Sequence, residues 1–273
     1  VCLTPSARVE TDVGVRRGKI VAIGDLARAS AAQRIDAGGL HVLPGCIDTQ
    51  VHFREPGLEH KEDLATGTAG AAMGGIVAVF EMPNTKPSTL TAAELADKVT
   101  RAQGRAWTDH AFFMGAAAEN ADRLGELEKV PGCSGVKIFM GSSTGSLLVA
   151  DDATLERALR SGTRRCAVHA EDEARLVERR DLVEPSAHPR MHPVWRDEET
   201  AIRATRRLLA LARKVGRRVH VLHVTTAEEM EFLAQNKDIV TVEVMKDAQA
   251  VFGRALQHQS FRVVGEAAKY GEC

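Results

Sequence analysis

Apolar strands and amphipathic helices alternate along most of this chain. From residue 43 onward, short runs rich in Val, Ile and Phe recur, and the segments between them carry apolar residues at the spacing of a helix face. Such alternation is typical of βα units that build a parallel sheet. The pattern predicts seven strands, at residues 43–51, 76–80, 110–115, 136–140, 166–169, 219–224 and 239–244.

Three helix starts between these strands carry capping residues. Thr91 with Glu94, and Thr226 with Glu229, have the spacing of a capping box, in which each side chain satisfies an orphan backbone N–H group. Asp151 predicts a third helix start. Seven βα units in a row are one short of a (β/α)8 barrel, so we predict an α/β fold with a TIM-type barrel that is incomplete as the sequence stands.

The first 42 residues have a different pattern, which predicts a small β-domain. Residues 13–23 form two β-patterned runs around a turn at Arg17 and Gly18, and residues 35–43 predict a further strand. The predicted domains are a β-domain at residues 1–42, a barrel at 43–244 and a tail at 245–273. The tail is interpreted either as the C-terminal part of a β-sandwich built from both chain termini or as an unrelated segment.

Composition and charge exclude several classes of function. Lys and Arg together number 36 and Asp and Glu 37, so the net charge of −1 gives no long-range attraction to nucleic acid or to an anionic membrane. The five cysteines are scattered without a CxxC pair, which argues against a disulfide framework or a zinc knuckle and indicates a reducing cytoplasm. No apolar run approaches the roughly 18 residues of a membrane span. We expect a cytoplasmic protein whose function comes from a local site.

Polar side chains stand near the carboxyl ends of the predicted strands, where barrel enzymes place their active sites. The first strand carries Asp48, Gln50, His52 and Arg54 at alternate positions, on one side of an extended chain. A buried His and Arg side by side need partners, a metal or an anion. The later strands contribute Glu81, Asn84, Lys137, His169 and His223.

These side chains favour a divalent metal site over a set of unrelated core residues. Three histidines and one lysine follow successive strands, and imidazole suits zinc or a similar divalent ion. Lys137 lies inside an apolar run, and an isolated buried ammonium ion is too costly to keep. This lysine must therefore be neutral, paired or modified.

At these residues the sequence resembles the cyclic-amide branch of the amidohydrolase superfamily, and dihydroorotases in particular. The resemblance covers about residues 8–244 and rests on these pieces, in the family's order: PGCIDTQVHFREPG at 44–57, EMPNT at 81–85, GVKIFMGSSTG at 135–145, VHAED at 168–172, HPVWRDEE at 192–199 and VLHVTT at 221–226. It implies a metal-dependent hydrolase that interconverts N-carbamoyl-L-aspartate and dihydroorotate in pyrimidine biosynthesis.

The resemblance implies a role for each matched residue. His52 would bind a first metal ion and His169 and His223 a second, with zinc as the expected metal. Lys137, carboxylated to a carbamate, would bridge the two ions. Gln50 stands where the family has another imidazole, and the sequence leaves open whether its carboxamide binds metal. The family also has a catalytic Asp on an eighth strand, and nothing after His223 matches it, so the catalytic acid or base is unassigned.

Arg54 and Asn84 would hold the carboxylate of an acidic cyclic amide, the expected substrate. Two alternatives stay open. One is a non-catalytic relative that scaffolds aspartate transcarbamoylase, favoured by Gln50 and by the unmatched Asp. The other is a hydantoinase or allantoinase that acts on neutral rings, although these relatives usually lack the HxR and MPNT elements. The resemblance implies a homodimer, and we predict no binding of nucleic acid or membrane.

Overall fold

The computed structural model describes residues 1–3, 7–141, 147–183 and 191–244. The chain divides into two compact units, Val1–Cys46 and Ile47–Cys273. The predicted tail at 245–273 lies outside the described residues, and the predicted domain limits at residues 42 and 244 stay predictions.

The first unit contains two short antiparallel pairs of strands. Its strands are β1 (Cys2–Leu3), β2 (Arg8–Val9), β3 (Asp12–Arg16) and β4 (Lys19–Gly24). β1 pairs with β2, and β3 forms a hairpin with β4. The hairpin turns at Arg17 and Gly18 as predicted, and both residues have positive φ angles, 51° and 72°, which suit a two-residue turn that follows the twist of its strands.

The strand predicted at residues 35–43 is wrong. Within this segment Val42 makes an isolated bridge to Cys2, and the rest has no strand pairing. The chain turns instead at Asp36, whose Oδ1 accepts a hydrogen bond from the backbone N–H of Gly38 at 2.8 Å. An Asp side chain that bonds to its own backbone two residues on, followed by two glycines, favours a turn over an extended strand.

The second unit is built on seven parallel strands that match the seven predicted ones. They are β5 (Cys46–Val51), β6 (Ile76–Glu81), β7 (Asp109–Gly115), β8 (Cys133–Phe139), β9 (Cys166–His169), β10 (Val219–Val224) and β11 (Val240–Val244). Their order in the sheet follows the chain from β5 to β11 without a reversal. A doubly wound sheet reverses its strand order at a switch point, whereas a TIM-type barrel does not. The curled sheet is therefore a partial barrel, and the predicted fold class is confirmed.

The helices of the second unit lie between these strands. They are α1 (Leu64–Met73), α2 (Ala92–Ala102), α3 (Leu124–Leu127), α4 (Asp152–Arg160), α5 (Glu173–Glu178), α6 (His192–Trp195), α7 (Glu198–Val215) and α8 (Ala227–Ala234). The capping box of Thr91 and Glu94 forms, and Asp151 caps α4. Thr226 caps α8, but the Glu229 carboxylate accepts from the hydroxyls of Thr226 and Thr205, at 3.0 and 2.6 Å. Glu229 therefore links α7 to α8 and does not complete the second predicted capping box.

The two faces of the sheet have different neighbours. Val136 and Ile138 of β8 belong to the main core, together with helix residues such as Leu208 of α7. Phe113 and Leu222 belong to a separate cluster with Met82 and Ala167. Because side chains alternate between the faces of a strand, Lys137 points away from the helices, toward the inside of the curled sheet.

A buried ion pair links the end of β6 to α2. Lys98 Nζ lies 2.9 Å from Glu81 Oε2, and both side chains are 1% exposed. Removing one partner of a buried pair leaves an uncompensated charge, which costs about 3–5 kcal/mol. We therefore expect Lys98→Met to lower the free energy of unfolding by about that amount in urea titrations.

The double variant Lys98→Met/Glu81→Gln is the matched control for this prediction. It removes both charges and should recover much of the lost stability. Equal stability of the single variant and the wild-type protein would contradict the prediction.

A close contact between α1 and the segment after β5 depends on a glycine. A Cβ at Gly67 would lie 2.4 Å from Phe53 Cδ1, and the Phe53 ring is buried. We expect Gly67→Ala to destabilise the protein by about 1–3 kcal/mol, because the rigid ring must move. Gly70→Ala, on the same helix with no atom within 4 Å, should instead stabilise by about 0.5–1 kcal/mol. Thermal unfolding of the two variants checks the contrast.

Candidate active site

One cavity of about 1170 Å³ collects the candidate residues. Its lining includes Gln50, His52, Arg54, Asn84, Lys137, His169 and His223. They come from the carboxyl-terminal ends of five strands or from the residues that follow them, with Lys137 two residues before the end of β8. Asp48 is buried on β5 but is not among the lining residues, so three of the four alternating side chains of this segment reach the cavity.

His52 is held by Asn84. Its Nδ1 lies 2.8 Å from Asn84 Oδ1. An amide oxygen only accepts, so Nδ1 carries the proton of this hydrogen bond. The same amide keeps its NH2 group as a donor. His52, which the sequence analysis assigned to metal binding, and Asn84, which it assigned to the substrate carboxylate, thus form one hydrogen-bonded pair.

Arg54 has a left-handed backbone, with φ of 68°. Such a conformation is uncommon for a residue with a side chain and persists when its surroundings fix it. The next residue, Glu55, is 3% exposed and accepts hydrogen bonds from Arg105 Nη1 at 2.6 Å and from the backbone N–H of Leu64 at 3.0 Å. Burial lowers the pKa of Arg54 and the nearby Glu81 carboxylate raises it. The guanidinium stays charged, because its ordinary pKa lies far above neutrality.

Gln50 and Lys137 reach the cavity from within their strands. Gln50 is 4% exposed, and its backbone N–H donates to Asp48 Oδ1 at 3.0 Å. Lys137 is 1% exposed, and its Nζ lies 4.5 Å from the centroid of the Phe139 ring. The charge of Lys137 contributes to a lowered pKa at His169. An ammonium ion beside imidazoles opposes the binding of a cation, so this lysine needs a changed charge state to serve a metal site.

His169 and His223 face each other directly. Nδ1 of His169 lies 2.9 Å from Nε2 of His223, and the rings meet edge to face with centroids 4.7 Å apart. His223 has a positive φ of 40°, which turns the chain at the end of β10. Burial is the main cause that lowers the pKa of His169, so the ring is neutral at pH 7. Neutral imidazole nitrogens that meet at one point have the chemistry of metal ligands.

Glu171 and Arg196, which the sequence analysis did not single out, lie next to the pair of His169 and His223. Glu171 Oε2 lies 2.5 Å from Nε2 of His169, and Arg196 Nε donates to Glu171 Oε1 at 2.8 Å. Burial alone would raise the pKa of Glu171, but hydrogen bonds from His169 and Arg196 outweigh it and hold the pKa at about 2. A carboxylate two residues after a strand-end histidine is the sequence signal that points to this arrangement.

Among the described residues, no three His, Cys, Asp or Glu side chains are grouped as a metal-binding cluster. A divalent ion would thus depend on other donors as well, and the cavity lining includes Lys137 and Gln50, the two other candidates from the sequence. Neutral imidazoles suit zinc, and a lysine carbamate would supply anionic oxygens. The residue types present fit such an ion on the condition that Lys137 is modified.

The comparisons with known proteins find similarity to a dihydro-orotase-like family model, to allantoinases and to dihydroorotases. Residues 39–115 match the family model described as Dihydro-orotase-like. The chain is 32% identical to an allantoinase of Deinococcus radiodurans, over 89% of this chain and 56% of that protein. It is 34% identical to a dihydroorotase of Methanothermobacter thermautotrophicus, over 88% of this chain and 55% of that protein. The chain is thus similar to both kinds of protein over most of its own length.

A solved structure is similar to this chain in fold. The L-hydantoinase (dihydropyrimidinase) of Arthrobacter aurescens superposes with a TM-score of 0.82 and 26% identity, over 89% of this chain and 56% of that one. The chain therefore spans just over half the length of the relatives it matches. The dihydroorotase and the allantoinase match about equally well, so the comparisons do not favour one of them over the other.

The helices and the cysteines of the described residues bear on two expectations drawn from the sequence. None of the helices in the described ranges is long and apolar enough to span a membrane. Cys2, Cys46, Cys133 and Cys166 carry free thiols. Burial raises the pKa of the Cys166 thiol to about 11, so this thiol near His169 is not an activated nucleophile.

Proposed function

We propose that this chain carries most of the active site of a zinc-dependent dihydroorotase, which interconverts N-carbamoyl-L-aspartate and dihydroorotate in cytoplasmic pyrimidine biosynthesis. The observation that carries the proposal is the presence of Arg54 and Asn84 in one cavity with the paired imidazoles of His169 and His223. A carboxylate-binding fork beside a metal-ligand set suits a ring that bears a carboxylate.

The metal-binding residues in this proposal are His52, Lys137, His169 and His223, and Gln50 is a further candidate. Lys137 is proposed to react as the neutral amine with carbon dioxide, forming an N–C bond and releasing one proton, to give a carbamate. One or two zinc ions bound there would supply Lewis acidity to the ring carbonyl and to water. The carbamate would replace a positive charge by a negative one, which explains how a lysine side chain suits a cation site.

The protein's own side chains orient the substrate. The Arg54 guanidinium would hold the ring carboxylate through two parallel hydrogen bonds, and the Asn84 amide would donate a third. In hydrolysis the oxygen of water bonds to the carbonyl carbon, the ring C–N bond breaks, and the ring nitrogen takes a proton. Ring closure is the reverse. The group that moves this proton is unassigned, because no residue after His223 matches the family's catalytic Asp.

Two specific observations favour rival functions. The allantoinase of Deinococcus radiodurans matches about as well as the dihydroorotases, which favours a hydrolase acting on another cyclic amide. Gln50, in place of an expected imidazole, favours a non-catalytic homodimeric subunit that scaffolds aspartate transcarbamoylase. The retained pairing of His52 with Asn84 favours the enzyme, because a scaffold has little need of a fixed imidazole.

The test combines metal content with a panel of rings. The purified protein is supplied with zinc and bicarbonate, its zinc per chain is measured, and its hydrolysis of dihydroorotate, allantoin and hydantoin is compared. We expect bound zinc and a clear preference for dihydroorotate. Turnover of the neutral rings alone would favour the allantoinase or hydantoinase function. Neither zinc nor turnover, together with a stable complex with a transcarbamoylase, would favour the scaffold.

A further inference from the structure

The carboxylate of Glu171 occupies the side of the His169 ring that faces away from His223. Glu171 follows β9 by two residues, and its Oε2 lies 2.5 Å from His169 Nε2. His169 Nδ1, on the other side of the ring, lies 2.9 Å from His223 Nε2. Arg196 Nη2 lies farther from Nε2, at 3.4 Å, so Glu171 is the near partner of Nε2 and His223 that of Nδ1. The orientation of the ring is fixed from both sides.

Arg196 holds Glu171 in this position. Its Nε donates to Glu171 Oε1 at 2.8 Å, and its Nη2 donates to Glu171 Oε2, so the fork engages both carboxylate oxygens. Arg196 lies between α6 and α7, where Asp197 caps α7 and pairs with Arg175. The Glu171 side chain is 14% exposed, so water competes little for these bonds. Through Arg196, the segment before α7 therefore fixes the position of Glu171, although it supplies none of the proposed metal ligands.

We propose that Glu171, clamped by Arg196, is a positioning residue that presents Nδ1 of His169 to a metal ion shared with Nε2 of His223. Ligating histidines commonly donate their second ring N–H to a carboxylate, which fixes the tautomer and raises the basicity of the other nitrogen. Glu171 accepts from Nε2, so the lone pair of the neutral ring lies on Nδ1. This inference rests on the proposed metal-dependent function, because it names the residue that orients a ligand of that metal.

The test measures zinc affinity by competition with a chelating dye, without reference to turnover. Loss of a carboxylate behind a ligating histidine weakens metal binding by about 10- to 100-fold, and we expect this loss for Glu171→Ala. Glu171→Gln should lose less, because its amide oxygen still accepts from Nε2. The control is Arg213→Ala, which removes an exposed ion pair with Asp238 near the end of α7 that does not contact either imidazole, and we expect a change within about fivefold.

A second measurement keeps the inference separate from the proposed function. In the zinc-free wild-type protein, the Nε2 proton of His169 should give a slowly exchanging, low-field proton NMR signal, which Glu171→Ala abolishes and Arg213→Ala retains. A signal that survives in Glu171→Ala, or a zinc affinity lowered no more than in the control, would overturn the positioning role. Failure of the wild-type protein to bind zinc would overturn the proposed function, while the NMR comparison still decides whether Glu171 fixes the ring.

Discussion

Replacing Lys137 with methionine is expected to abolish zinc binding and dihydroorotate turnover together. The lysine is 1% exposed and shares the cavity with His52, His169 and His223. Without the proposed carbamate, the proposed ligand set loses its anionic donor and keeps the imidazoles and the carboxamide. Loss of a metal ion removes several kcal/mol of transition-state stabilisation, so kcat/KM should fall at least about 1000-fold. Zinc per chain and turnover, both in excess zinc and bicarbonate, check the prediction.

Lys98→Met is the matched control for Lys137→Met. Both substitutions remove a lysine that is 1% exposed, but Lys98 lies outside the cavity and pairs with Glu81. The control is expected to lower stability while its folded fraction keeps zinc and turnover. Intact-mass spectra in bicarbonate should show one added carbon dioxide on the wild-type protein and none on Lys137→Met. Retained zinc and activity in Lys137→Met would falsify the bridging role.

The barrel could be predicted from the strand pattern because two features of the sequence indicate a strand. An apolar run indicates a strand buried on both faces, and the helix pattern that follows fixes a parallel connection. β9 and β10 have the predicted limits, whereas β5 begins three residues later than predicted, at Cys46. A Pro-Gly turn at 44–45 precedes that start, and proline and glycine both weaken strand pairing. The strand predicted at 35–43 failed for a similar reason, since a side chain to backbone bond of Asp36 competes with it.

The candidate site could be predicted only in part. Residues at strand ends converge because the parallel strands of a barrel end on one side, so His52, His169 and His223 share a cavity. Arg196 comes from a connecting segment, and its position depends on the pairing of Asp197 with Arg175, which no periodicity encodes. Its contact with Glu171 joins residues 25 positions apart. Such a contact is visible only once the helices are packed.

Replacing Arg54 with methionine is expected to raise the KM for dihydroorotate far more than it lowers kcat. Arg54 is partly buried and lines the cavity, where a carboxylate would bind its guanidinium through two bonds. Truncating one partner of a buried charge pair costs about 2–4 kcal/mol, which corresponds to about a 30- to 1000-fold rise in KM. Steady-state kinetics over a wide range of dihydroorotate concentrations check this prediction.

Two comparisons separate a substrate contact of Arg54 from a structural one. Arg54→Lys keeps the charge but loses the planar fork, so its KM should lie between those of the wild type and Arg54→Met. Hydantoin has no carboxylate, so any hydrolysis of hydantoin should have the same KM in all three proteins. A rise in KM for hydantoin equal to that for dihydroorotate would mean that Arg54 supports the fold of the cavity and does not bind the carboxylate.

Because Asn84 would share that carboxylate while also bonding His52, Asn84→Ala should raise KM and weaken zinc binding together.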